Sequence, residues 1–176
     1  MGPFVIIKAN PITDYALSCV TVAHFMQIGK TWLDEVLQAG AAAGVYEGFG
    51  EDVETAKLKR RQFLIKQGLI RGNYSINEVT LKTLENLDLD AAGKGLSGRL
   101  GKNYVRAPDS GRISGTYREA IIRPSGKYAV IEKSKEFTLV PWRETMDRNL
   151  GKTISGTLKG QTISWTLAKG RGQNIS

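Results

Sequence analysis

The spacing of apolar residues changes once along the chain, and that change limits the fold more than any other feature. From Thr31 to about Leu100 apolar residues recur three and four positions apart, the spacing of a helix face. After Gly101 they alternate with polar residues, the spacing of a strand with one buried face. Two periods in separate blocks predict an α+β protein, with a mainly helical segment over 1–100 and a strand-rich segment over 101–176.

The helical block divides at its glycines and caps. Thr31 is placed to cap a helix whose first turn carries Asp34 and Glu35 at the positive end of the dipole. Trp32, Leu33, Val36 and Leu37 form its apolar stripe, Gly40 its stop, and residues 39–44 a small-residue joint. A second helix is expected over Glu51–Gln67, with Val53, Ala56, Phe63 and Leu64 on its core side and Gly68 after it. Leu69-Ile70 and Tyr74-Ser75-Ile76, flanking Arg71-Gly72-Asn73, read as a short hairpin. A third helix from about Asn77 carries Leu84, Leu87 and Ala91, then weakens over Gly93, Gly95 and Gly98. Helix, helix and hairpin in this order are winged-helix-like. Lys57, Lys59, Arg60 and Arg61 would then meet DNA, although they crowd nearly all around their helix.

The second block alternates through Ile113, Gly115 and Tyr117, and turns at Arg123-Pro124-Ser125-Gly126. Lys127–Glu132 reads as a two-sided apolar strand, followed by a Lys133-Ser134-Lys135 turn. Phe137 and Leu139 alternate until Pro141 closes the strand, and Trp142–Leu150 has room for two turns of helix. Ile154, Gly156 and Leu158 make a fourth run, Lys159-Gly160-Gln161 a turn, and Ile163, Trp165 and Leu167 a fifth. Five short strands with a helix after the third predict a small closed barrel of OB or SH3-like type.

Charge falls on the same division. The 176 residues carry a net charge of +8, with −2 in residues 1–50, +2 in 51–100 and +8 in 101–176. A concentrated basic surface attracts polyanions, of which nucleic acid is the commonest in cytosol. The candidate nucleic-acid contacts are Arg118, Arg123, Lys127, Trp142, Arg143, Arg148, Lys152, Lys169 and Arg171. Tyr117, Tyr128, Trp142 and Trp165 are candidates for base stacking. Core packing is the competing role, stronger for Trp165, which alternates with Ile163 and Leu167.

Signs of catalysis are thin. Gly93-Lys94-Gly95-Leu96-Ser97-Gly98 matches the dinucleotide fingerprint in letters, but no strand feeds it and no βαβ unit surrounds it. Gly29-Lys30-Thr31 and Gly151-Lys152-Thr153 lack the upstream glycine of a phosphate loop. The carboxylate pairs Glu51/Asp52 and Asp88/Asp90 read as helix surface. His24 is the only histidine and Cys19 the only cysteine, so a multi-histidine metal site and an internal disulfide are both excluded. No cofactor is expected. No apolar run reaches the roughly 20 residues of a membrane span, and Gly2–Lys8 does not read as a signal peptide. The expected location is the bacterial cytoplasm.

Three blocks in fixed succession carry a resemblance: Ser114–Arg118 (SGTYR), Ser125–Glu132 (SGKYAVIE) and Glu136–Arg143 (EFTLVPWR). Leu150-Gly151, Ser164-Trp165 and Arg171-Gly172 follow, while Thr31–Asp34, Phe49-Gly50 and Arg61 through Leu69 precede. Over roughly residues 30–172 the chain resembles the carboxy-terminal region of a family of bacterial conjugative relaxases, the mobilization nucleases of plasmids and integrating elements. Relaxases cut DNA with a tyrosine and a metal held by a histidine cluster. A single histidine cannot build that cluster, so the resemblance implies a non-catalytic fragment carboxy-terminal to the nuclease domain. The implied partners are DNA near the transfer origin or, alternatively, the type IV coupling and secretion apparatus, to which a protein-recognition module would present the relaxase.

Overall fold

The computed structural model describes residues 26–40, 49–72, 75–159 and 162–166, apart from the side chains of 49–52 and 166. Cys19, His24, the small-residue joint after Gly40, Asn73-Tyr74, Gly160-Gln161, Leu167, Lys169 and Arg171 lie outside the described residues. Two compact units divide the chain: one takes Thr31–Leu81, the other Ile28–Lys30 and Lys82 onward. No helix among the described residues is long and apolar enough to cross a membrane.

In the first unit α1 spans Trp32–Ala39 and α2 spans Phe49–Lys66. The cap predicted at Thr31 is present: its backbone N–H and its hydroxyl both donate to Asp34 Oδ2, at 2.8 and 2.9 Å. Leu33 is buried against Ala56 of α2, whereas Trp32 stays exposed. Val53, Ala56 and Leu64 are buried as expected. Arg60 joins them, with Nε and Nη2 donating to the two oxygens of Asp34 at 2.8 and 2.7 Å. Among the described residues 69–72 and 75–76 of the expected hairpin, none is in a strand. Gly68 takes a positive φ of 72°, and the Leu69 N–H returns to the Leu64 carbonyl at 2.9 Å, closing the helix end instead of starting a strand.

α3 spans Glu78–Leu100 and starts where Asn77 Oδ1 accepts the Thr80 N–H at 2.9 Å. The helix does not weaken at its glycines; it continues through all three. A Cβ at Gly93 would fall on the Tyr104 ring, so glycine lets that ring lie against the helix backbone. The buried stripe also differs from the expected one. Leu84, Leu89 and Ala92 are buried with Glu85 and Asp88, while Leu87 and Ala91 are exposed.

The second unit is built on six strands: β1 Asn103–Tyr104, β2 Ser110–Arg123, β3 Gly126–Glu132, β4 Glu136–Pro141, β5 Thr153–Lys159 and β6 Thr162–Thr166. Their order is β1-β4-β3-β2-β5-β6, with β1 parallel to β4 and all other pairs antiparallel. The predicted five-stranded closed barrel is therefore corrected to a six-stranded open sheet. β1, unseen in the sequence at two residues long, takes the outer side of β4, so β4 is hydrogen-bonded to β1 and β3 rather than to β6. The 14-residue β2 pairs with β5 over Ser110–Thr116 and with β3 over Thr116–Arg123, with a bulge at Arg118 where the register shifts.

β3 is two-sided, as its composition predicts. Tyr128 and Val130 face a cluster with Phe137, Leu139 and the α3 residues Leu89 and Ala92. Ala129 and Ile131 face the opposite cluster with Ile113, Tyr117, Val140, Ile154, Leu158 and Ile163. Met146, from the 3-10 helix Glu144–Asn149 that stands where two helical turns were expected, inserts into this second cluster, and Trp165 packs against it.

Candidate nucleic-acid interface

The connection from β4 to β5 carries four of the nine predicted contacts, Trp142, Arg143, Arg148 and Lys152, and a fifth, Lys127 of β3, stands against its first residue. Trp142 leaves β4 after Pro141, and its backbone N–H donates to the Lys127 carbonyl at 3.0 Å, extending the β3–β4 ladder by one residue. That bond sets Lys127 beside Trp142, and the Lys127 Nζ stands over the indole 3.2 Å from the ring centroid. The indole Nε1 donates to the Tyr117 hydroxyl at 3.2 Å. Trp142 is thus half-buried, with its ring against the core and a cation on its face. A base stacking on that face would have to displace Lys127.

Past Trp142 the chain enters the 3-10 helix, with Arg143 at its N-cap and Arg148 in its last turn. Anchoring Met146 in the core turns the neighbouring residues outward, so Arg143 and Arg148 are both exposed, with no ion pair among the described residues. Lys152 returns the chain to β5. Its carbonyl accepts the Tyr117 N–H at 3.0 Å, and its Nζ donates to the Arg148 carbonyl at 3.0 Å. Glu144 and Asp147 lie on the same connection, so it presents a few separate cations rather than a broad basic face.

The other predicted contacts go elsewhere. Arg118, at the bulge, donates to both oxygens of Glu132 at 3.1 and 3.3 Å. Arg123 is drawn onto the buried Asp88, whose Oδ1 accepts its Nε at 2.9 Å and its Nη2 at 2.6 Å, while Oδ2 accepts the Ser125 N–H at 3.1 Å. This contradicts the surface reading of Asp88. Lys169 and Arg171 are outside the described residues. Of the cations considered for a winged helix, Arg60 is wholly buried in its pair with Asp34. Tyr117 is in the core, and the Tyr128 hydroxyl donates to Glu85 at 2.7 Å. Burial, and next that hydrogen bond, hold the Tyr128 pKa far above the ordinary tyrosine value.

The residue that sequence reasoning missed is Ile122. It stands opposite Lys127 in the β2–β3 register and is 84% exposed, which completes a lateral row Ile122–Lys127–Trp142. Its signal was faint: a second isoleucine directly before the Arg-Pro-Ser-Gly turn, where one face of a strand needs only one. Gly93, Gly95 and Gly98 lie inside α3, where their N–H groups are committed to the helix, so the fingerprint forms no phosphate loop. Among the described residues no group of three His, Cys, Asp or Glu is placed to hold a metal ion.

Comparison with protein families gives a match over residues 9–174, to a family described as a protein of unknown function, DUF3363. Neither the comparison with curated proteins nor that with solved structures gives a match.

Proposed function

The chain belongs to the DUF3363 family, and from that premise we propose that its sheet unit is a non-catalytic nucleic-acid-binding module of a conjugative relaxase, acting in the assembly of the relaxase–DNA complex. The observation that carries this reading is the β4–β5 connection, which starts at Trp142 under the Lys127 ammonium and exposes Arg143, Arg148 and Lys152. Flexible cations around a rigid aromatic suit a phosphate backbone passing a fixed point. The sequence blocks resembling the carboxy-terminal region of relaxases supply the pathway, and the nicking step belongs to a histidine-bearing domain. The partner in this reading is DNA around the transfer origin, met in the bacterial cytoplasm.

The test is binding of single-stranded and duplex DNA by the full chain across a salt series. Affinity is expected to fall steeply with salt, and Arg143→Ala with Arg148→Ala to flatten the slope by roughly 1–2 units, one for each phosphate no longer neutralised. Binding indifferent to salt and to the double substitution overturns the reading.

A second reading rests on Ile122. An isoleucine at 84% exposure beside a cation fits a protein partner better than a phosphate. In that reading the module presents the relaxase to the type IV coupling or secretion apparatus. Loss of DNA transfer on Ile122→Ser, with DNA binding intact, selects it.

A further inference from the structure

β2 changes neighbours halfway along. Its first part pairs with β5, and Thr116–Arg123 pairs with β3 on the other side. The last bonds on the β5 side belong to Tyr117, whose N–H donates to the Lys152 carbonyl at 3.0 Å and whose carbonyl accepts the Gly151 N–H at 2.7 Å. Beyond them, no strand and no backbone hydrogen bond among the described residues meets that side of Arg118–Arg123. Register fixes which groups face outward there. Opposed residues in an antiparallel pair either bond each other or both turn away. The Lys127 carbonyl is given to Trp142 beyond β4, so Ile122, opposite Lys127, turns its N–H and carbonyl away from β3. Ala120, two residues back, does the same. Natural edges are blunted with lysine, proline or an inward charge. Between Glu119 and Arg123 this one carries only Ala120, Ile121 and Ile122, the last standing out in solvent.

We propose that this edge pairs with the same edge of a second copy of the chain, antiparallel about a two-fold axis at Ile121. Bonds form only where outward residues meet outward residues, and three two-fold registers do this within the edge. Centred on Ala120, the pairing sets Ile122 against Arg118 at the bulge. Centred on Ile122, it sets Ala120 against Pro124, which has no N–H to give. Centred on Ile121, Ala120 exchanges both bonds with Ile122 of the second copy, twice over, between the bulge and the turn. That register also places Glu119 opposite Arg123 of the second copy. Glu119 is bonded to Arg99 through Oε1, and Arg123 to Asp88 through Nε and Nη2, which leaves Oε2 and Nη1 to meet across the axis. Ile122 comes to lie beside Ala120 of the second copy and leaves water. Charge and apolar surface thus match the edge to itself.

Sedimentation of the full chain without nucleic acid, over a range of concentration, tests the pairing separately from DNA binding. Wild type is expected to pass from monomer to dimer as concentration rises. Ile122→Lys should weaken that dimer roughly tenfold, because the symmetry removes two cross-strand contacts at once. Its side chain is exposed, so the fold of the monomer should be untouched. Oxidation in a Cys19→Ser background reads the register. Ile121→Cys opposes its own copy at a non-bonded site, where Cα atoms lie about 4.5 Å apart, and should form an intermolecular disulfide. Ile122→Cys, although more exposed, sits beyond the roughly 7 Å Cα reach of a disulfide to its own copy and should cross-link far more slowly. Ile121 is partly buried, so if its cysteine variant fails to fold, the Ile122→Lys dimer constant decides. A chain monomeric at every concentration, a dimer indifferent to Ile122→Lys, or cross-linking as fast through Ile122→Cys as through Ile121→Cys each overturns the pairing.

Discussion

Each unit buries an aspartate against an arginine, and the two pairs are built differently. In the helical unit both partners leave water: Asp34 and Arg60 are wholly buried, and Asp34 also accepts both donors of Thr31. Arg60 Nη1 also donates to the Gln27 carbonyl at 2.7 Å. In the sheet unit only the acid is wholly buried, and Arg123 keeps about a third of its side chain in solvent. A pair with one wet partner keeps a way out when it is broken; a pair with none does not. The helical unit thus relies on a polar centre for its architecture, whereas the sheet unit relies on two apolar clusters and places its charges around them.

The sharpest way to break this contrast is Asp34→Ala. It strands a buried guanidinium and removes the α1 cap, and we expect a loss of about 3–5 kcal/mol, read as collapse of amide-exchange protection in α1 and α2. Replacing both partners, Asp34→Leu with Arg60→Met, should restore most of that loss, since a well-packed apolar pair often matches a buried ion pair. If the double variant is as unstable as the single one, the pair does more than fill space. Asp88→Asn should cost less, about 1–3 kcal/mol, because Arg123 can swing into water. A cost equal to that of Asp34→Ala would erase the distinction between the pairs.

The same contrast explains what the sequence made legible. Apolar spacing locates β3, β4, β5 and β6 because each buries side chains in a regular alternation against one or both clusters. Capping chemistry locates α1 through Thr31 and Asp34. Polar burial has no comparable signature: Arg60, Glu85 and Asp88 look like surface charges until partners distant in sequence are known. Nor does a two-residue parallel strand, β1, carry any period to detect. Gly93 reads as a helix breaker because the ring that needs its missing Cβ lies eleven residues on, at Tyr104. At the candidate interface, basic residues near turns were readable. Which of them are consumed by carboxylates was not, because Glu132 and Asp88 become neighbours of Arg118 and Arg123 only through register and helix packing.

Two tyrosines carry the comparison to its smallest scale, inside the sheet unit. The Tyr128 hydroxyl donates to Glu85, whose other oxygen lies 3.5 Å from Lys82 Nζ. Tyr128→Phe takes a donor from a buried carboxylate and should cost about 1–2 kcal/mol. Tyr104 is the opposite case, since its hydroxyl is buried with no hydrogen-bond partner in the protein. Tyr104→Phe should therefore be neutral or slightly stabilising at pH 7.

Burial, and next the charge of Asp90, push the Tyr104 pKa up from 10.0 to about 12, while Arg106 pulls it down. The unfolded chain thus ionises this phenol first. Its contribution to stability is whole below pH 10, declines as pH rises above that, and is lost by the time pH passes about 12. Tyr128, also raised, acts in the same direction. In Tyr104→Phe the decline above pH 10 should be shallower than in wild type, with no change near neutrality. Tyrosinate absorbance followed with unfolding midpoints across alkaline pH measures both. A wild-type phenol that ionises at the ordinary tyrosine value would mean that Tyr104 is open to solvent, and that its ring does not rest on the backbone Gly93 leaves bare.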